Sequence, residues 1–232
     1  AQLGDDAAFE KVDPQGFNVL HHAAKKGRTE ALKWLVEHLG QKQGVNNEHL
    51  GQDQGANHVT VEQQSAAKDD CTGAQLNEMV AKMMKSLVPP GFTLAEISLQ
   101  SDNVETFKYI IAAGDTVWYL KHINPSGAGI IALMIALGKV AQLQCLVEVF
   151  GLSLSRTDAD GKIVEIFAAE DGWSYAHWAA HSGRLPMLKW LQKNGFQLDK
   201  PNNEGHRPIY YAKESKADAT VEWLLQNGAK PL

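Results

Sequence analysis

The stretch Ala31-Leu-Lys-Trp-Leu-Val36 is one of a set. It returns as Thr106-Phe-Lys-Tyr-Ile-Ile111, Gln142-Leu-Gln-Cys-Leu-Val147, Met187-Leu-Lys-Trp-Leu-Gln192 and Thr220-Val-Glu-Trp-Leu-Leu225. Fifteen residues before the first position of each stands a glycine: Gly16, Gly91, Gly127, Gly172 and Gly205. A register held to the residue five times marks an internal repeat. A repeat decides the architecture before any local reading of helix or strand.

Working back from that phrase, a shorter apolar segment fills the first half of each unit. Gly16-Phe-Asn-Val-Leu-His-His-Ala-Ala24 runs on to Gly27, and Gly172-Trp-Ser-Tyr-Ala-His-Trp-Ala-Ala180 runs on to Gly183. Asn18, Thr93 and Ser174 each stand two places after a leading glycine, where their side chains can cap a helix N-terminus. The paired alanines leave room for close approach of a neighbouring helix. Gly27, Gly138 and Gly183 permit a tight turn into the second helix. Each unit therefore predicts turn, short helix, turn and a longer amphipathic helix.

On these residues the chain resembles the ankyrin repeat, whose pattern runs D-x-x-G-x-T-P-L-H-x-A-A-x-x-G. Asp13 to Gly27 matches most of it, Gly172 to Gly183 nearly as well, and Asn203 to Gly228 contributes Gly-His-Arg-Pro-Ile209. Gly172 and Gly205 lie 33 residues apart, the family period. The family proline occurs only as Pro208 and the family histidine only as His21 and His177, while the units at Gly91 and Gly127 rest on register. The resemblance implies an all-α ankyrin-repeat solenoid of about five helix pairs. They would form a single domain over 1–232, with repeats near 13–40, 88–115, 124–151, 169–196 and 202–229. It also implies that His21 and His177 hydrogen-bond the neighbouring turn. Tandem repeats with large insertions are similar in style to ankyrin proteins that intracellular bacteria secrete, which would place an effector of that kind in the host cytosol.

The leading glycines are spaced by 75, 36, 45 and 33 residues, so two gaps hold insertions. In the first, 41–87, Gln41 to His58 is rich in Gln, Asn and Gly and reads as a loop. Gly73 to Val88 then sets Leu76, Met79, Val80, Met83, Met84 and Leu87 at helical spacing, with Glu78, Lys82 and Lys85 opposite. Pro89-Pro90 ends that helix, and Val59 to Val88 is a candidate degenerate sixth helix pair. The second insertion, 152–168, alternates about Asp160-Gly161 and predicts a long β-hairpin finger. Its Asp158, Asp160 and Glu165 lack the ligand spacing of a calcium loop, so no metal is expected.

Composition narrows the function. Apolar residues make up 44% of the chain, and 27 acids against 22 bases give a net charge of −5. No stripe of Lys and Arg concentrates that charge, which argues against nucleic acid as a partner. No apolar run is long enough to span a membrane. The acidic residues 1–12 do not read as a signal peptide. The chain begins with Ala1 rather than Met, as a processed protein or part of a longer one would. The two cysteines, Cys71 and Cys145, have no companion at metal-ligand spacing, and unpaired thiols suit a cytoplasmic location. Cys71 follows Asp69 and Asp70, whose charge raises a thiol's pKa and opposes nucleophilic use. The adjacent His21 and His22 diverge on a helix and do not form a metal pair. There is no Gly-rich phosphate loop, HExxH or GxSxG, so neither catalytic residues nor a cofactor are expected.

Two columns of aromatics remain. Trp34, Trp190 and Trp223 share one position with Tyr109 and Cys145, and are expected to be inter-repeat core. The residue after each leading glycine is Phe17, Phe92, Ala128, Trp173 or His206. In ankyrin arrays that position faces the concave groove, so these aromatics are expected to be exposed and to anchor a partner. With Lys25, Lys26, His181 and Asp160 they make up the candidate partner-binding set. The expectation is a monomeric, non-catalytic module that binds a protein through its concave surface. The alternative is the targeting half of a larger enzyme or effector whose catalytic domain lies outside this chain.

Overall fold

The computed structural model describes residues 11–41, 78–124, 129–157, 163–165 and 171–231. Cys71, Ala128, Asp160 and most of the 41–87 insertion fall outside the described residues.

Among the described residues, five helix pairs carry the architecture: α1 (Val19–Lys25) with α2 (Thr29–Gln41), α4 (Leu94–Ser98) with α5 (Val104–Ala113), α7 (Ile130–Leu137) with α8 (Val140–Glu148), α9 (Tyr175–His181) with α10 (Leu185–Lys193), and α11 (Pro208–Glu214) with α12 (Asp218–Gln226). The first helices touch one another in chain order, and the second helices do the same, so the pairs stack as a solenoid. The caps are where the spacing put them. Asn18 accepts from His21 N at 3.0 Å and Thr93 Oγ1 from Glu96 N at 3.1 Å. Two of the leading glycines, Gly16 and Gly172, need their lack of a side chain twice over. Gly172 has φ +79, and a Cβ there would meet Asn203 Oδ1 of the next turn at 2.5 Å.

Stacking buries the alanine pairs and two positions of the recurring phrase. Ala24, Ala179 and Ala180 are fully buried, as are Leu32, Phe107, Ile110, Leu143, Leu146, Leu188 and Leu191. These are the second and fifth positions of the phrase, three apart and therefore on one helix face. The tryptophan column, at the fourth position, is not the core that the repetition suggested. Trp34 is 42% exposed and stacks on His38 one turn on, with ring centroids 4.1 Å apart. Trp190, Trp223 and Tyr109 are half-buried against the core, and Cys145 is buried. The fourth position points about 100° away from the fifth on a helix, so it lies at the margin of the buried face.

Between the repeats the structure departs from expectation in two ways, at Leu87 and at an additional helix. Of the helix read over Gly73 to Val88, the described part is α3 (Glu78–Lys85), which packs on α2 through buried Val80, Met83 and Met84. Leu87 lies past its end and is 43% exposed. A short helix not foreseen from sequence, α6 (Thr116–Lys121), sits between the second and third pairs. Asp115 caps it by accepting from Trp118 N at 3.0 Å, and buried Tyr119 donates its hydroxyl to Met84 O at 3.1 Å. Of the hairpin finger expected over 152–168, the described residues include two three-residue strands, β1 (Ser155–Thr157) and β2 (Ile163–Glu165), antiparallel with Ser155 opposite Glu165, while 158–162 and 166–168 lie outside the described residues.

Polar ties run between units. His21 Nδ1 accepts from Asn18 N at 3.2 Å while Nε2 reaches Ser86 O at 3.2 Å. His177 Nδ1 accepts from Ser174 N at 2.9 Å while Nε2 reaches His206 O at 3.0 Å. In the second pair this register position is Glu96, and the polarity reverses. Glu96 Oε2 accepts from Thr93 N at 2.7 Å, and Oε1 accepts from Asn124 Nδ2 at 3.0 Å. These three units thus each cap their own first helix and grip the chain beyond with one side chain.

Candidate partner-binding surface

The residue after the leading glycine lies back along the first helix of its unit, and two units build the same arrangement. In the first, the Phe17 ring stands 6.0 Å from His21 and 5.4 Å from His22, and Lys25 Nζ sits 4.7 Å over its centre. In the fourth, Trp173 stands 5.8 Å from His177, 4.8 Å from Trp178 and 5.6 Å from His181. The spacings of four, five and eight residues from the leading aromatic are the same. They follow from one turn geometry followed by one helix.

Consequently Phe17, Phe92 and Trp173 are half-buried rather than open to solvent. For Phe17 the reason is local, the ring lying on the first turns of its own helix, and Trp173 lies on its own helix and on Tyr211 of the next unit as well. His206 is also half-buried, Lys25 half-buried over Phe17, and Lys26 and His181 exposed. Phe92 stands apart from the ring clusters, its backbone bridged to Val88.

Trp173 meets His181 and reaches His206 through Tyr211, whereas Phe17 and Lys25 form a second group on the first unit, which Lys26 does not join. Trp173 packs on Tyr211 of the next unit at 4.4 Å. His206 stacks flat on Tyr210 at 4.0 Å, and Tyr210 meets Tyr211 edge-on at 5.2 Å. Trp178, Tyr210 and Tyr211 were not singled out from sequence. The signal was available, because Trp178 and Tyr211 both stand six residues after their leading glycines, one position past His177. The result is a continuous aromatic surface across α9 and α11, made of half-buried Trp173, Trp178, His206, Tyr210 and Tyr211 with exposed His181.

The polar edge of this surface is well defined. Asp171 Oδ1 accepts from Trp173 N at 3.0 Å. Tyr211 Oη accepts from Asn202 Nδ2 at 2.9 Å and lies 3.4 Å from Glu204 Oε2, and partial desolvation raises its pKa. Glu204 also stands 3.3 Å from His206 Nδ1. Arg207 is held by Asp199 at 2.9 Å. An open depression elsewhere, lined by Gly27, Arg28, Thr29, Lys33, Asn103 and Glu105, holds no aromatic side chain.

The strand pair abuts this region. Tyr175, buried at the start of α9, donates its hydroxyl to Leu154 O at 3.1 Å and its backbone N–H to Glu165 Oε2 at 2.7 Å. Burial pushes the Glu165 carboxyl up to about 7, against the lowering effect of that N–H and of Lys200. The folded chain therefore binds an extra proton between the ordinary value of 4.5 and about 7, and stability is lost as pH rises through that window. Glu165→Gln keeps an acceptor for Tyr175 N–H and removes the charge. Chemical denaturation should show a gain of about 1–2 kcal/mol at pH 8 and little change at pH 5. An equal change at both pH values would mean that the carboxyl is not titrating there.

Among the described residues, no group of three or more His, Cys, Asp or Glu is placed to hold a metal ion, and no helix is long and apolar enough to cross a membrane. A family model described as ankyrin repeats (3 copies) matches residues 133–232, and one described as ankyrin repeat matches residues 15–44. Among solved structures, the human ASB11 ankyrin repeat domain matches with a TM-score of 0.55 at 19% identity, over 92% of this chain and 71% of that one. That identity speaks for the fold alone. No curated protein matches the chain.

Proposed function

This chain belongs to the ankyrin-repeat family, and we propose that it is a non-catalytic module that holds a protein partner on the concave face formed by its first helices. The observation that carries the reading is the aromatic surface of Trp173, Trp178, Tyr210 and Tyr211, all half-buried. These rings are already fixed by contact with one another, so a partner that covers them does not have to order them first. Large, rigid, partly exposed aromatics are the residues that dominate binding energy at protein interfaces. Phe17 and Phe92 extend the same face toward the N-terminal units.

Affinity capture with the immobilised chain, compared with Trp173→Ala and Trp178→Ala, tests the proposal. Truncating Trp173 should weaken retention of a partner by about 2 kcal/mol. It should also cost about 1–2 kcal/mol of folding stability, because the ring bridges two repeats. Partners retained equally by the wild type and both variants, with circular dichroism unchanged, would remove this face as the interaction site.

A further inference from the structure

We propose that the outer face of the first unit docks one further ankyrin-type helix pair, carried by a partner protein and not by a second copy of this chain. The proposal concerns the end of the stack and is independent of the concave aromatic surface.

The face emerges when the five units are compared at fixed distances from their leading glycines. Fifteen residues on, Thr106, Gln142, Met187 and Thr220 are buried, whereas Ala31 of the first unit is exposed. Three residues on, Leu94, Ile130, Tyr175 and Pro208 are buried, and Val19 is only half-buried. Thr106 shows what buries such a position: its Oγ1 lies 2.7 Å from Thr29 Oγ1 of the preceding unit. Trp34 is 42% exposed, while its counterparts in the other four units are half-buried or buried. The first unit therefore presents the side by which each later unit packs on its predecessor, and among the described residues no helix pair covers it.

A polar tie repeats the pattern. Twelve residues after the leading glycine, Asn103 donates Nδ2 to Gly27 O at 2.9 Å, Lys139 donates Nζ to Ser101 O at 3.4 Å, and Arg184 donates Nε to Ala136 O at 2.8 Å. Each acceptor belongs to the unit before. Arg28 holds this position in the first unit, where it is exposed and, among the described residues, no carbonyl takes its guanidinium.

The other end of the stack does not fit this face. At three junctions a Cβ on the turn glycine, Gly27, Gly138 or Gly183, would come within 3.0, 3.1 or 3.3 Å of Asn103, Arg184 or Ala217, the residue at the tie position of the next unit. In the fifth unit that turn residue is Lys216, at φ +56. Lys213 is exposed where the other units bury Ala24, Leu99, Ile135 and Ala180. In a head-to-tail stack of two copies, Lys216 of one would meet Arg28 of the other, so the closest contact of the junction would join two cations. Identical chains that stacked this way would run on into a filament, and the two lysines oppose it. The occupant has instead the chemistry of the inner units: a glycine at the turn, a small apolar residue in the place of Lys213, and a free carbonyl for Arg28. Its interface continues the ones already present inside the chain.

The test gives the full chain a fifth unit with that chemistry. The double variant Lys213→Ala with Lys216→Gly should associate head to tail, its open end on the first unit of the next molecule. Sedimentation equilibrium at about 0.5 mM chain, where even a millimolar Kd registers, should give a weight-average mass at least about 1.5 times that of the wild type. The wild type should sediment as a monomer. Adding Ala31→Arg to the double variant should restore the monomer mass, and adding Arg28→Ala should raise the Kd about tenfold, the size of one charged hydrogen bond. Circular dichroism checks that each variant is folded. Lys216→Gly alone, which removes only a side chain at positive φ, serves in the same comparison if the double variant does not fold. An opened chain that stays monomeric, or association that survives Ala31→Arg, overturns the proposal. A wild-type dimer abolished by Ala31→Arg overturns it too, because a second copy would then be the occupant.

Discussion

Leu188→Ala is expected to lower the stability of this protein by about 3–5 kcal/mol, whereas Trp34→Ala should change it by less than about 1 kcal/mol. Both residues lie within the recurring phrase, at its second and fourth positions. Leu188 is fully buried between stacked pairs, so truncation removes its transfer energy and leaves a cavity that α9 and α12 cannot close without losing their own contacts. Trp34 is 42% exposed and rests on His38, so truncation costs one surface ring contact. The order is the reverse of what side-chain size alone would give. Urea denaturation of the two variants decides it. A loss for Trp34→Ala as large as that for Leu188→Ala would show that α2 is covered on its outer side.

The second large effect belongs to a polar residue. His177→Ala should cost about 2–4 kcal/mol, because it leaves the Ser174 N–H and the His206 carbonyl without their partners and opens a hole where a fully buried ring stood. His177→Glu should not recover this. A carboxylate can take over the cap, as Glu96 does in the second unit, but it has no proton to give His206 O. Burial lowers the pKa of His177 and of His21, and in each the Nδ1 that would gain the proton already faces a backbone N–H. Their folded values lie below 6.5, so the stability they contribute is complete above that pH and is lost as pH falls through it. This is the opposite sense to Glu165. A wild-type stability profile that falls on acidification below about pH 6.5, and flattens in the double variant His21→Gln with His177→Gln, is the expected measurement. A profile unchanged by the double variant would assign the acid sensitivity to other groups.

The proposed binding surface was half legible. The column after the leading glycines led to Trp173 and His206, and its neighbours on the first helix led to His181. It did not lead to Trp178, Tyr210 or Tyr211, which complete the cluster. The column also suggested open exposure, and the structure gives half-burial. A ring one residue after a glycine turn has its own helix directly beneath it, and that contact is invisible to a comparison made down a column of repeats. Trp34 shows the same blindness from the other side. Repetition indicated that the position mattered, but not whether a neighbour covered it.

What the sequence determined by itself is everything that a local rule repeated at a fixed interval can fix. The glycines set where each unit turns. Asn18 and Thr93 set where first helices start, and the apolar pair three apart in the recurring phrase sets which face each second helix buries. Once these agree across five units, stacking is the only arrangement that buries them all. The tertiary structure alone decided what happens where the period breaks down: that α6 forms, and that Glu96 is gripped by Asn124 where the first and fourth units use histidine. It also decided that rings 38 residues apart, Trp173 and Tyr211, meet at 4.4 Å. Such contacts depend on the distance and rotation between neighbouring repeats, which are set by the packing of whole helices rather than by any residue's own preference.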